Sequence, residues 1–571
     1  MATIQTLVAV TLALVCPLVA RASAGEEILP LSQVQVGMKG IGRTVFAGTN
    51  PEDYGFEVVG VWKGESPGRD MIVVRCTGRT IERTGLVAGM SGSPMYVGGK
   101  LIGALSGGWA FSKEPVGVVT PIESMLAILE SPAAPAGGQG GGAEGRMKFE
   151  PFATPVFSSG IPMTVMERWR PRLAGWGFSP MSGSAVRSDA TSLPAPELVP
   201  GSALCVPLIE GDLSLTALGT MTCRRGDRVL AFGHAMAGFG AVELPMSAAI
   251  VHAVVPSYMV SIKVGNATAP VGTLLRDERS GVMGVLGARP QPCPLEVRVT
   301  GGGRPIARRM RVVRHPELSG SFLSMAAASV VLEEVRAAGP LTLVSRIELG
   351  LPGNRTVRLS SAAATTDSPA QAVSELLEPV NVLLDNSIQP LTPVSASVSF
   401  EAEPRARLAT LDSIRLNKPR FRPGETVQVT AILRTYGGGS ISRTAELTLP
   451  ADLERAAATV EVHDARSATT REQVRNPGKH SPRDLPSLIA LMESARSPRS
   501  LWVRLAAQRE GAGYGGRELP GLPGSVVSVF GAPGATGFAK LAADVEVEMP
   551  IGWVVMGQDS LPIEVLGDAQ R

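Results

Sequence analysis

Short apolar runs broken by glycine and proline fill residues 30–130 of this 571-residue chain, and they restrict it to strands joined by tight turns. "FEVVGVW", "MIVVRC" and "KLIGALS" are too short for ordinary helices, and they sit between turn residues. The stretch then finishes in "TPIESMLAILE", which reads as a short closing helix. Composition points the same way, because 65 Gly and 45 Pro against 4% aromatic residues favour many short strands over long helices. With 44% hydrophobic and 18% charged residues the chain can bury real cores, and its length fits about three or four domains.

Charge excludes one class of partner. Lys and Arg (54) nearly balance Asp and Glu (51), and no basic run is interleaved with aromatics, so the chain lacks the electrostatic footprint of a nucleic-acid binder. Residues 1–24 hold an apolar stretch from Leu7 to Ala20 and end in Ala22-Ser23-Ala24, the small-x-small pattern of a signal peptide. The expected location is therefore extracytoplasmic, periplasmic or secreted. Because no Lys or Arg precedes the apolar stretch, an uncleaved N-terminal anchor is the alternative, and it is the one membrane attachment expected. Cys16 does not mark a lipoprotein, since Val15 stands where a small residue is needed. Cys76, Cys205, Cys223 and Cys293 form no CxxC and meet no zinc-spaced His, so neither metal nor cofactor is expected. Cys205 and Cys223, on neighbouring predicted strands, are placed either to form a disulfide or to stay buried thiols.

Composition divides the chain. "SPAAPAGGQGGGAEG" (131–145) cannot bury a core and reads as a flexible linker, continued to residue 195 by a weakly patterned connection. A second strand-rich module follows over 196–300, then an α+β extension over 301–400 with helical stretches such as "SFLSMAAASVVLEEVRAAG". Residues 401–571 read as a β-rich accessory domain. There Val427, Val429, Ala431 and Leu433 share one strand face and Gln428 and Thr430 the other, a sandwich-like pattern.

The chemistry concentrates in "GLVAGMSGSPMYVGGKLIGALSGG" (85–108). A nucleophilic Ser needs an exposed hydroxyl and backbone N–H groups aimed at the oxyanion, and the glycine-lined turn around Ser91 can supply both. The α/β-hydrolase elbow is disfavoured, because Ser93 stands where GxSxG needs Gly and a hairpin follows in place of a helix. Read whole, the segment resembles chymotrypsin-like peptidases: a Gly-x-Ser-Gly-x-Pro turn, a strand, a "GGK" turn, a strand ending in Ser106, then "PVGVVTPIESML". Its bland alternative is a hairpin rich in small residues with no chemistry.

A Ser nucleophile needs a base, usually His. His463 and His480 lie in the charged tail, His315 in "RHPE" reads as exposed, and His252 in "AAIVHAVVP" reads as a core histidine. His234 differs, because it directly follows a predicted strand and sits among glycines in "VLAFGHAMAGFG".

Here the residues resemble the SpoIVB-type serine peptidase family. "GTMTCRRGDRVLAFGHAM" (219–236) looks like the family's His segment, "GLVAGMSGSPMYVGGKLIGAL" (85–105) like its nucleophile segment, and "SIKVGNATAPVGTLLRDERSGVMGVLG" (261–287) like the strand after the His. Two departures accompany the match: family members place His before Ser, whereas Ser91 precedes His234, and no convincing PDZ domain is present. The resemblance implies a mainly β protein with a permuted chymotrypsin-like double β-barrel, its Ser barrel at 25–130 and its His barrel at 196–300. It also implies a serine endopeptidase acting on protein or peptide substrates, and it allows self-processing. Ser91 would attack the scissile carbonyl, His234 would act as base, and the N–H groups of Gly89 and Ser91 would line the oxyanion hole. No Asp occupies the family's acidic place near "RCTGRTIERTG", and Asp70 and Glu82 fit poorly. Asp277 is the expected acid, at a separation from His234 like that in chymotrypsin-like enzymes; a solvated turn residue and a Ser-His dyad are its alternatives. The competing function is a catalytically inactive peptidase fold serving as an extracytoplasmic interaction module.

Overall fold

The computed structural model describes residues 26–566, apart from 67–68, 110, 131–149, 152, 185–193, 302–303, 336–338, 452, 454–456, 508–510, 515–516, 521, 532–537 and 542–543. The expected signal peptide and the glycine-rich linker at 131–145 lie outside the described residues. The protein is mainly β.

The first strands are β1 (Lys39–Thr44), β2 (Glu52–Ser66) and β3 (Arg69–Thr77), followed by helix α1 (Arg79–Thr84). After them come β4 (Val87–Ala88), β5 (Pro94–Val97), β6 (Lys100–Gly108), β7 (Val116–Pro121) and helix α2 (Ile122–Glu130). Strands pair in the order β5-β1-β2-β3-β7-β6, and a β5–β6 ladder closes the six into a barrel. Closure leaves no edge strand exposed along the ring. Alternation sets the interior: Tyr54, Phe56 and Val58 of β2 are buried, as are Ile72, Val74 and Cys76 of β3. Gly40 and Gly42 stand opposite Phe56 and Tyr54, where a Cβ would lie 2.6 Å and 2.3 Å from the ring carbons. Two missing side chains thus let both rings lie across β1.

Residues 146–195, read as a weakly patterned connection, include β8 (Glu150–Pro151), β9 (Thr154–Ser159), α3 (Met163–Gly175) and β10 (Phe178–Ser184), with β9 and β10 parallel. The next strands are β11 (Ala203–Gly211), β12 (Ser214–Arg225), β13 (Arg228–Ala231), β14 (Gly240–Val255), β15 (Ser261–Glu278) and β16 (Gly281–Leu286). Their ladders run β11-β12-β13-β16-β15-β14 and return from β14 to β11, a six-membered ring inside a larger mixed sheet. That sheet continues from β11 through β18 (Ile306–Val312), β17 (Cys293–Thr300), β21 (Ser395–Glu403), β19 (Leu341–Leu351) and β20 (Arg355–Thr365). Helix α4 (Ser319–Glu334), buried from Ser319 to Val331, packs beside α5 (Pro369–Leu384) in the main hydrophobic core.

Past residue 405 two curled sheets, of four and five strands, enclose a separate core. Val427, Val429, Ala431 and Leu433 are all buried there while Gln428 is exposed. Cys76, Cys205, Cys223 and Cys293 are buried free thiols, so the structure contains no Cys205–Cys223 disulfide. No helix among the described residues is long and apolar enough to cross a membrane.

One short ladder decides where the chemistry can sit. β4, between α1 and the Ser91 turn, pairs in parallel with β15, Val87 opposite Ser261 and Ala88 opposite Ile262. The first barrel therefore presents that turn against the second ring.

Candidate active site

Gly89 to Pro94 span the reversal between β4 and β5. Gly89 and Gly92 both adopt φ +97°, a backbone region that side chains disfavour. Gly92 is also pressed against its neighbours, since a Cβ there would fall 1.9 Å from the Thr220 carbonyl oxygen and 2.4 Å from the Phe232 nitrogen. β12 fastens the turn: the Thr220 hydroxyl donates to the Gly89 carbonyl at 2.8 Å, and its N–H donates to the Ser91 carbonyl at 2.8 Å. The Thr222 hydroxyl donates to the Gly92 carbonyl at 2.7 Å. Within the turn, Gly92 N–H goes to Leu105 and Ser93 N–H to Met90. Ser91 is left with its N–H uncommitted and its buried Oγ unpartnered among the described residues. Those are the two groups that acyl transfer would use.

His234 lies just beyond β13, after a reversal in which Phe232 (φ +71°) and Gly233 (φ +68°) are both left-handed. The Phe232 ring fits over Gly219, and its N–H donates to the Thr220 carbonyl at 3.1 Å. From the first barrel, the Thr120 hydroxyl donates to the Gly233 carbonyl at 2.6 Å and stands 3.0 Å from Ser106 Oγ. The His234 ring is buried, with Nδ1 2.7 Å from the Ala235 carbonyl. That contact requires the proton on Nδ1, which makes Nε2 the basic nitrogen.

Asp277, near the end of β15, is buried beneath the loop that follows His234. Its carboxylate accepts N–H bonds from Met236 (2.7 Å), Ala237 (2.8 Å), Gly238 (2.7 Å) and Phe239 (3.4 Å). Burial pushes its carboxyl above the usual range and the four donors pull it back. It thus grips the His234 loop through the backbone, while the ring Nδ1 faces Ala235. Among the described residues, Asp70 and Glu82 accept local N–H groups, from Gly64 and Gly78.

Two histidines differ from their sequence reading. His252 is exposed, because the β14–β15 arm extends past the ring there and carries the exposed Val255, Tyr258 and Met259 with it. His315 is buried, its ring centroid 4.4 Å from that of Phe239. His463 bonds to Glu461 and His480 to Glu472, both in the C-terminal region. No group of three or more potential ligands gathers as a metal site among the described residues.

Sequence reasoning overlooked Thr220 and Thr120, although both stand within quoted motifs, since a hydroxyl that clamps a backbone leaves no spacing signature. Lys263 left a clearer trace. It occupies an inward position of β15, where alternation calls for an apolar residue.

Residues 22–126 match the family model of the SpoIVB peptidase S55. The matched segment contains the first barrel and the Ser91 turn and stops short of His234. No curated protein and no solved structure matches the chain. Similarity of this segment to a serine peptidase family points to serine peptidase activity on protein substrates.

Proposed function

We propose that the chain is an exported serine endopeptidase working through an acyl-enzyme on Ser91, with His234 as its base. The observation that carries this reading is Thr220. One residue binds the Ser91 carbonyl through its N–H and receives the Phe232 N–H on its carbonyl, so the nucleophile turn and the strand leading to His234 share one support. Two closed six-stranded rings, Ser-bearing first and His-bearing second, support a chymotrypsin-like double barrel in permuted order. Catalysis depends on geometry at the cleft and not on chain order.

In this mechanism Ser91 Oγ bonds to the scissile carbonyl carbon as its proton passes to His234 Nε2. The Ser91 and Gly89 N–H groups hold the oxyanion, each worth on the order of 3 kcal/mol. Collapse breaks the C–N bond, and the leaving amine takes the proton from His234. Water then adds to the acyl carbon by the same proton route and frees Ser91. Asp277 acts as a positioning residue through the loop it braces. Export rests on the apolar N-terminal segment with its Ala-Ser-Ala ending.

A second reading is a peptidase fold retained as a binding module, and the buried, unbonded Ser91 hydroxyl favours it. A fluorophosphonate probe separates the two. Purified protein should take one covalent label, and Ser91→Ala and His234→Ala should each abolish it; wild-type protein that takes no label across neutral pH would leave the binding module standing.

A further inference from the structure

The nucleophile turn lies beside a buried amine that the mechanism above does not use. Lys263 on β15 has no exposed surface. Its stem runs along the turn, since a Cβ on Gly89 would lie 3.4 Å from Lys263 Cδ and 3.5 Å from its Cβ. Nζ donates to Thr44 Oγ1 at 2.6 Å and stands 3.5 Å from Thr220 Oγ1. The Thr220 hydroxyl in turn donates to the Gly89 carbonyl. A relay of three groups therefore joins the amine to the first residue of the turn.

We propose that Lys263 is a positioning residue for Ser91: acting through the Thr220 hydroxyl, its amine fixes the peptide groups of the turn and sets a positive charge beside the oxyanion site. The proposal rests on the peptidase reading of Ser91. An apolar side chain of equal length would fill the same space without the penalty of burying a charge. Held in a low-dielectric site, that charge favours the negative charge that develops on the substrate oxygen.

Burial pulls the ammonium down to about 7, and no charged neighbour among the described residues offsets the pull. β1 brings Arg43, which is turned to Asp53; β14 brings the exposed His252; and the thiol of Cys205, in the adjoining apolar cluster, is held protonated by burial. The amine exchanges its proton near neutrality, and the mechanism needs a neutral His234 together with a charged Lys263. Activity is then bounded on the acid side by His234 and on the alkaline side by Lys263.

The test is the rate of fluorophosphonate labelling at Ser91 from about pH 5 to pH 10 in wild type, Lys263→Met and Lys263→Arg. Wild type should give a bell; the Met variant should label about tenfold more slowly near neutrality and lose the alkaline limb. Lys263→Arg, charged throughout, should restore the rate and also lack that limb. If the Met variant does not fold, the Arg profile decides alone, and a persisting alkaline limb overturns the proposal. So does a Met variant with wild-type rate and an unchanged bell. Wild-type protein without Ser91 labelling overturns the peptidase reading and this inference together, whereas labelling that needs Ser91 and His234 but ignores Lys263 overturns this inference only.

Discussion

The hydroxyl of Thr120, on the last strand of the first barrel, donates to the carbonyl of Gly233, the residue before His234, at 2.6 Å. Thr120→Val keeps the shape but leaves that carbonyl buried without its donor, a change worth about 1–3 kcal/mol. Urea denaturation should show the loss, and probe labelling should slow as the His234 loop loosens. Thr120→Ser should recover both, and a Val variant equal to wild type in both would show that the loop needs no such anchor.

Gly92→Ala tests the seat of the Ser91 turn. A left-handed backbone costs a side chain about 1–2 kcal/mol by itself, and here the new Cβ also meets the Thr220 carbonyl at 1.9 Å. Gly98→Ala is the matched control, left-handed at φ +57° with no atom within 4 Å of its Cβ. The Gly92 variant should lose labelling and far more stability than the Gly98 variant; equal denaturation midpoints would refute the tight fit.

Removing the Asp277 carboxylate strands four buried or half-buried N–H groups. Asp277→Ala should destabilise by about 3 kcal/mol or more and slow labelling at Ser91. Asp277→Asn keeps one acceptor oxygen but turns an amide NH2 toward the same donors, so it should fall between wild type and Ala. An Ala variant that melts like wild type would show that the loop holds itself.

Acid should weaken the fold through His315. Burial against Phe239 pushes its imidazole down to about 4 from 6.5. The unfolded chain takes up the proton near pH 6.5 while the folded one refuses it until about pH 4, so stability is full above that window and falls as pH drops through it. The loss approaches about 3 kcal/mol. His315→Gln should flatten unfolding free energy against pH over the window, and an unchanged slope would assign the effect elsewhere. Phe239 ends the loop that Asp277 braces, so the same acidification should slow labelling, and His315→Gln should lessen that slowing.

The strands of the first barrel and the turn at Ser91 were legible because period-two burial and clustered glycines are local signals. Val427 to Leu433 were readable for the same reason. Other features depend on partners far away in sequence. β4 has only two residues, too few to show a period, and its pairing with β15 is what sets the turn against the second ring. Helix α3 is obscured by Pro171 and by a largely polar sequence, which hid the β9-α3-β10 unit. His252 and His315 were each judged by immediate neighbours, apolar in one case and charged in the other. Exposure of His252 followed instead from its place on the β14–β15 arm, and burial of His315 from its packing against Phe239.

The β4–β15 ladder also orders events in time. A nascent chain of 130 residues contains every strand of the first barrel, yet the segment that backs Val87 and Ala88 begins at Ser261, and the threonines that grip the turn arrive at Thr220 and Thr222. Domains fold as they emerge, N-terminal first, and contacts this distant in sequence form late. During synthesis the polypeptide therefore carries Ser91 on an unbacked loop, with neither His234 nor the threonine clamp yet in place. Chain order alone keeps the cleft incomplete until more than twice that length of protein has been made.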